Sequence, residues 1–475
     1  VSQQNPIAGI IPRGSLGLKL LLVCLLVLAM GIPLLVVAGL VGERESRAAQ
    51  VTTQIGAGAG GAQIVGGPML VVPYQRTVDV TDDQGRVQRR LERGSYVVFA
   101  ETGNADAVLS VEERALGIYR AAIYSATTAF EAQFDTDAAI EGIDPSYVLD
   151  WRQARIVMFV SDSRAITNAA ELRFADGRTA TFEPISDLSL VSPEPAVATP
   201  TFFGRPDYIG PTTLQGFAAP AGLTGPSDFA VTTTLELTGA QRFSLAAFAQ
   251  DTAATIRGDR SDVRAEGYFQ RRELSVSEGG DGEDGAFNIS WRVPFVARGV
   301  QKAADLSVFN LGTTGGRDMA VSFVASDDIY QGVARAVRYG IMFIGIVFLA
   351  TLIFEAVSGK RAHPAQYILV GLAQCVFYLL LLSVTEIVGF TTAFAIAATA
   401  TVLLLAFYAG ASFRSWAVGW RALLGLAGLY GAMYVLMTLE DYALLAGSVV
   451  TFVVIAATMI ATRRIDWYGR GDKAA

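Results

Sequence analysis

Apolar residues follow two patterns along this chain. One stretch near the start, Leu20 to Leu40, is almost continuously apolar, and five more crowd the last third: Ala336 to Val357, Gln366 to Thr385, Phe390 to Gly410, Ala422 to Leu439 and Ala443 to Ala461. Each is about 18 to 22 residues, the length a helix rising about 1.5 Å per residue needs to cross a hydrocarbon core roughly 30 Å thick. Six transmembrane helices are predicted. Between Gln50 and Tyr330 the pattern changes to short segments rich in Val, Ile, Thr, Tyr and Phe, separated by Gly, Pro, Asp and Asn. Examples are Gln63 to Tyr74, Ser95 to Glu101, Leu116 to Thr127, Arg155 to Val160, Phe229 to Leu237, Arg242 to Phe248, Phe287 to Val293 and Met319 to Val324. Several alternate, as Val231 to Leu237 does, which predicts strands with one buried face. The expected fold is an α-helical membrane bundle of six transmembrane helices, with a large, mainly β, sandwich-like extracytoplasmic domain inserted between helices 1 and 2.

Charge sets the expected orientation, because Lys and Arg beside short loops stay on the cytoplasmic side. The inside ends would carry Arg13 and Lys19, Lys360 and Arg361, Arg414 and Arg421, and Arg463 and Arg464. The opposite short loops carry Glu386, then Glu440 and Asp441, with no basic residue. Arg335 and Arg338 dissent, but they end a long translocated segment, where the rule is weak. The expected division is a cytoplasmic N-terminus (1–19), transmembrane helix 1 (20–41), a periplasmic β domain (42–335), a five-helix bundle (336–462) and a cytoplasmic tail (463–475). The Pro-rich stretch 191–211 is the candidate joint inside the β domain, which is long enough for one large core or two smaller ones.

Composition sharpens this division. The chain is 52% hydrophobic and 17% charged with a mean hydropathy of +0.40, too apolar for a purely soluble protein and too polar for a bare helical bundle. The net charge of −7 argues against nucleic acid as a partner, since phosphate binding needs clustered Lys and Arg. The first apolar run exceeds the 7 to 15 residues of a signal-peptide core, so it is read as a retained helix despite Pro33. Cys24 and Cys375 both fall in predicted spans, so no disulfide framework is expected in the β domain.

Several stretches imitate known chemistry. Gly56, Gly58 and Gly61 satisfy G-x-G-x-x-G, with Asp82 and Asp83 about 20 residues on. The preceding residues are polar and a strand follows, so a flexible lead-in to the first strand is expected instead of a dinucleotide site. Glu278, Asp281, Glu283 and Asp284 could offer oxygens to calcium, but their spacing fits no EF-hand and a solvated hairpin loop is the default. The only histidine, His363, falls in an inner loop, which removes Ser-His-Asp, Cys-His and His-rich zinc sites from the β domain. No cofactor and no metal site is expected, and no particular carboxylate pair stands out.

Polar residues inside the spans are costly and each needs a reason. Glu355 lies one turn before the inner end of its span, within reach of Lys360 and Arg361. Gln374 and Tyr378 share a helix face, with Ser383 and Glu386 near the outer end. A proton or ion pathway is one reading; hydrogen-bonded helix packing is favoured, because no acidic residue sits at mid-membrane. Ala427 with Gly431, and Gly428 with Ala432, place small residues four apart on the fifth span, which predicts close helix contact there.

The run Phe354, Glu355, Arg361, His363, Pro364, Gln366, Tyr367, Leu369, Val370 and Gly371, continuing through Phe377, Tyr378 and Ser383 to Glu386, Gly389 and Phe390, resembles the CreD family of bacterial inner-membrane proteins. Arg464, Ile465, Asp466, Trp467 and Tyr468 are similar to that family's closing motif. Gly67, Pro68 and Pro73, and Glu113, Arg114, Gly117, Ile118 and Tyr119, add traces outside the spans. The chain departs from the family at Arg257 to Asp262, where a Trp-Pro-His-Pro-Ser-Phe stretch is common, so no role of that stretch carries over. The resemblance implies an inner-membrane protein of cell-envelope integrity, induced by a two-component system and linked to β-lactam response and colicin tolerance; it implies no reaction. The expected function is therefore a non-enzymatic periplasmic domain engaging envelope protein, peptidoglycan or lipid, in an oligomeric state the chain does not reveal. A transporter or channel for a lipid-like or ionic solute, and a periplasmic carboxylate-based hydrolase, are the alternatives. Glu355, His363, Gln366, Tyr367, Gln374, Tyr378 and Glu386, with the closing Asp466, Trp467 and Tyr468, are the candidate positions.

Overall fold

The structure, a computed structural model, describes residues 16–81, 87–141, 143–190, 214–277, 285–299, 301–305, 317–323, 328–358, 362–438 and 443–463. The chain divides into two compact units, Val1–Ala49 with Ser326–Ala475, and Gln50–Ala325. The helices are α1 (Leu16–Ala57), two short ones, α2 (Thr136–Ile140) and α3 (Phe295–Arg298), then α4 (Asp328–Ser358), α5 (Pro364–Val388), α6 (Phe390–Ser412), α7 (Trp416–Thr438) and α8 (Ala443–Thr462).

Among the described residues five helices, α1, α4, α5, α6 and α7, are long and apolar enough to cross a membrane, one fewer than the six predicted. The sixth stretch is helical as α8, but its apolar described part, Gly447–Ile460, is shorter than a span. Within α1 the buried positions Val23, Met30, Leu34, Val37 and Val41 recur every three, four or seven residues and form one stripe. Leu21, Leu25, Leu28, Ile32 and Leu35 are exposed on the remainder, a greasy face that only lipid covers at low cost. The close contacts fall elsewhere than predicted. Gly428 and Gly431 have open space around them, whereas Gly410 and Gly419 let α6 and α7 approach, and Gly371 admits Met30 and Phe348. Four-residue spacing marks a potential contact stripe, and the neighbours decide whether that stripe is used.

In the second unit the strands are β1 (Gln63–Thr81), β2 (Val87–Val98), β3 (Ala100–Leu116), β4 (Tyr119–Phe134), β5 (Val148–Leu149), β6 (Arg155–Val160), β7 (Glu171–Phe174), β8 (Thr179–Thr181), β9 (Glu183–Leu190), β10 (Leu214–Pro220), β11 (Phe229–Ala240), β12 (Arg242–Ala246), β13 (Ala249–Gly258), β14 (Val263–Gly267), β15 (Glu273–Ser277), β16 (Ala286–Val293), β17 (Ala303–Asp305) and β18 (Asp318–Phe323). They form two mixed sheets. One runs β14-β18-β12-β1-β6-β10-β9, with β2, β5 and β17 attached beside that path; the other runs β15-β16-β13-β3-β4-β11-β7-β8. Most pairs are antiparallel, but β1 with β12 and β3 with β13 are parallel. One continuous apolar cluster draws on both sheets, from Leu70, Phe159 and Phe243 to Phe130, Leu235 and Trp291, so a single core replaces the two-core alternative. The candidate joint 191–211 lies outside the described residues.

Local chemistry explains the less regular points. Gly66, Gly67 and Pro68 lie where the β1–β6 register shifts, a bulge that bends the strand. A Cβ on Gly67 would lie 2.6 Å from the Phe248 ring, and one on Gly66 would enter the Phe159 ring, so both glycines let aromatics lie against bare backbone. Gly56 to Gly61 follow the order helix then strand, opposite to a dinucleotide site. They also form no flexible lead-in: Gly56 is in the last turn of α1, and Gly60, at φ +95°, turns the chain against Ala165.

Candidate functional site

The polar residues of the bundle gather at the two ends of α5. At one end His363 caps the helix: its Nδ1 accepts from the Ala365 amide at 3.2 Å, and Gln366 Oε1 accepts from the His363 amide at 3.0 Å. Pro364 opens the helix with its φ preset and no amide proton to waste. This reciprocal cap satisfies donors that hydrocarbon would leave stranded. Immediately beside it, the buried Glu355 carboxylate of α4 accepts from Lys19 Nζ of α1, from the Ala362 amide at 3.0 Å, and from Tyr367 Oη of α5 at 3.3 Å. One side chain thus joins three helices. The expected partners Lys360 and Arg361 lie outside the described residues; Lys19 is the ion-pair partner the structure shows.

At the other end, Glu386 of α5 accepts from Tyr330 Oη of α4 at 3.3 Å and faces Arg44 of α1 at 3.7 Å. The two clusters therefore engage the same three helices. Tyr367 and Glu386 are separated by about 28 Å of helix at about 1.5 Å per residue, close to a hydrocarbon thickness of roughly 30 Å. Lys19 and Arg44 lie still farther apart on α1, which places the cations at or beyond the apolar boundaries.

Between the ends, α5 buries Tyr367, Gly371, Gln374, Tyr378, Leu381 and Thr385, a stripe with steps of three or four residues. Phe377 packs edge-on against Phe394 and Tyr430 at 5.7 and 4.9 Å. Tyr378 Oη reaches only the Met433 sulfur, at 4.0 Å, and Gln374 Nε2 has no hydrogen-bond partner among the described residues. Gln374 and Tyr378 are thus on one buried face, as their spacing predicts. Asp466, Trp467 and Tyr468 lie outside the described residues. Neither Arg44 nor Tyr330 stands out as a site residue in the sequence; the signal was a charged or phenolic group one or two turns beyond an apolar run.

In the β domain, Tyr74, Tyr96 and Tyr147 cluster edge to face, with Arg76 over the Tyr147 ring and Tyr74 donating to Asp305. Burial, then the Asp305 hydrogen bond, holds the Tyr74 phenol well above its ordinary value. Arg298 is 2% exposed, its guanidinium lies 3.8 Å over the Phe99 ring, and its side-chain nitrogens find no hydrogen-bond partner among the described residues. Burial pushes it down to about 9, which still leaves it charged at neutral pH. An open cleft of about 430 Å³ is lined by Glu266, Tyr268, Phe269, Gln270, Arg271 and Trp291, among others, with Glu266 as its one carboxylate. The family-divergent stretch builds ion pairs, Arg257 with Asp106 at 2.7 Å and Arg260 with Asp262 and Glu113 at 2.6 and 3.1 Å, and Asp259 accepts a hydrogen bond from Ser110 Oγ at 2.8 Å. The acidic segment Glu278 to Asp284 lies outside the described residues.

The profile of the family described as "CreD: Inner membrane protein CreD" matches residues 15–468. The chain belongs to the CreD family. It is 28% identical over 448 residues to the "Inner membrane protein CreD" of Escherichia coli (strain K12), an alignment covering 93% of this chain and 91% of that protein. The match takes in both the helical bundle and the β domain, so this CreD-family chain is a multi-pass inner-membrane protein as a whole.

Proposed function

We propose that this chain is a non-enzymatic component of cell-envelope integrity whose β-rich domain engages envelope protein, peptidoglycan or lipid on the periplasmic side. In this reading α8 is a sixth crossing, because Glu440 and Asp441 precede it and Arg463 and Arg464 close it, which puts both termini in the cytoplasm. The domain limits are then 42–335 for the periplasmic part and 336–462 for the five-helix part, with Trp467 and Tyr468 as aromatic anchors beside Arg463 and Arg464 at the inner headgroups.

The observation that carries the reading is the commitment of Glu355 and Glu386 to holding α1, α4 and α5 together. With those carboxylates in helix-joining roles, the surface free to meet other molecules is that of the β domain, including the cleft beside Tyr268. Among the described residues that line it, this cleft offers one carboxylate, Glu266, where acid–base hydrolysis calls for a pair. Photo-crosslinking from position 268 in intact cells tests the reading. Capture of periplasmic protein, glycan or lipid is expected; turnover of an envelope substrate by the purified protein, abolished by one β-domain carboxylate change, would overturn it. The transport alternative draws on one observation, the Gln374 Nε2 inside the bundle with no hydrogen-bond partner among the described residues. Flux in proteoliposomes that depends on Gln374 or Glu386 would put that alternative first.

A further inference from the structure

Phe413, Arg414 and Ser415 join α6 to α7. Phe413 caps α6, its amide donating to Ala409 at 3.1 Å, and its ring packs edge-on against Phe354 of α4 at 4.9 Å. The Ser415 amide donates to Gly410 at 3.0 Å, and the Ser415 carbonyl accepts from the Val418 amide at 3.0 Å to start α7. Arg414, between them, takes φ +47°, in the left-handed region where glycine is the usual residue after a helix cap. Among the described residues only Gln241 shares a positive φ without being glycine. An arginine kept there at a steric cost points to a use for its side chain.

Charge and exposure show what that use is. Arg414 and Arg421 are both exposed, and neither has a carboxylate partner among the described residues. Glu355, the acid next to Phe354 at this end of the bundle, is engaged by Lys19. Trp416, Trp420 and Leu424 follow one another at four-residue steps along α7, exposed by 71, 64 and 69%, and Gly425 and Gly428 farther along the helix have open space around them. With 23 residues each, α6 and α7 are about 35 Å long at about 1.5 Å per residue, so their turn falls at the boundary of a hydrocarbon core roughly 30 Å thick. Arg421 lies about 7.5 Å along α7 from Trp416, a depth that its long side chain spans back to that boundary. The turn thus sets two arginines at the level of lipid phosphates, above an exposed apolar stripe that runs toward the acyl chains.

We propose that the α6–α7 turn is a binding site for one anionic phospholipid, its phosphate held by Arg414 and Arg421 and an acyl chain lying along Trp416, Trp420 and Leu424. An uncharged lipid would satisfy only the stripe, so the two arginines make the site selective for charge. Every residue invoked belongs to the helical unit. The inference holds whichever side of the membrane the turn faces, and so stands or falls separately from the proposed function.

The test uses full-length protein with Trp151→Phe and Trp467→Phe in phosphatidylcholine vesicles, so that Trp416 and Trp420 are read against Trp291, which is buried in the β domain. A small share of the lipid is replaced by phosphatidylglycerol, or by phosphatidylcholine, brominated on the acyl chains near the glycerol. Brominated phosphatidylglycerol is expected to quench with an apparent affinity at least about fivefold above brominated phosphatidylcholine, about what one arginine near the headgroups contributes. Arg414→Gln with Arg421→Gln should bring the two lipids level. Equal quenching by both lipids with the arginines in place would overturn the proposal, because the turn would then meet ordinary boundary lipid. So would a preference that survives both substitutions, because anionic lipid would then be held elsewhere, and so would quenching by neither lipid, because protein would then cover the patch. Arg421→Gln alone, expected to lower the preference, takes the place of the double variant if that variant does not fold.

Discussion

Replacing the carboxylate that joins three helices gives a quantitative test of how this bundle is held. Glu355→Gln keeps the side-chain shape, its one oxygen accepting from the Ala362 amide while its NH2 donates to Tyr367 Oη, but removes the charge opposite Lys19. At about 4 Å between charge centres and an effective dielectric of about 20, the attraction is about 4 kcal/mol. Desolvating the two ions returns several kcal/mol, and the Lys19 side chain is 35% exposed, which screens the pair further. A coupling of about 1–2 kcal/mol remains, with Lys19→Met alone costing about 2 kcal/mol because it strands a buried carboxylate. The assay is a double-mutant cycle of Lys19→Met and Glu355→Gln, read by reversible unfolding in mixed micelles. The double variant should lose about 1–2 kcal/mol less than the two single losses added together. Strict additivity within about 0.5 kcal/mol would refute the claim that this pair fastens α1 to the bundle.

Other consequences concern the β domain. Gly67→Ala should destabilise it by about 1–3 kcal/mol in denaturant melts, because the added methyl meets the Phe248 ring, whereas Gly225→Ala, with open space around it, should stay within about 0.5 kcal/mol. Arg298→Met should raise stability by about 1–4 kcal/mol, since a buried cation with no hydrogen-bond partner among the described residues gives way to an apolar chain of similar length; a loss of that size would show that the charge is compensated. The raised Tyr74 phenol favours the fold fully below its unfolded value of 10.0, and this contribution is lost as pH climbs above that value toward the folded one. Thermal melts from pH 8 to 11 should therefore fall more steeply for the native protein than for Tyr74→Phe.

Much of this architecture was legible because lipid and water impose different periodicities. Continuous apolarity located α1 and α4 to α7, and the alternation Val231 to Leu237 appears as alternating buried and exposed positions in β11. β3 was missed because the inward positions of its first half are small, Gly103, Ala105 and Ala107, and match the large rings of Phe130 and Phe248 brought from elsewhere in the chain. No local pattern announces such complementarity. The same limit applies to the bundle: Gln374 and Tyr378 could be placed on one face by counting, while the pairing of Lys19 with Glu355, 336 positions apart, depends on tertiary contacts. Small-residue spacing on α7 misled for the same reason: Ala427, Gly428 and Gly431 mark a smooth stripe, but the helix that would use it approaches at Gly419.

Most depends on the chain spanning a membrane with its β domain facing outward. Single cysteines at Val148 and Arg414, in a background with Cys24→Ala and Cys375→Ala, can be probed in intact cells with a membrane-impermeant thiol reagent. Labelling at 148 without permeabilisation, and at 414 only after it, is the expected result. Labelling at 148 only after the inner membrane is opened would contradict the account.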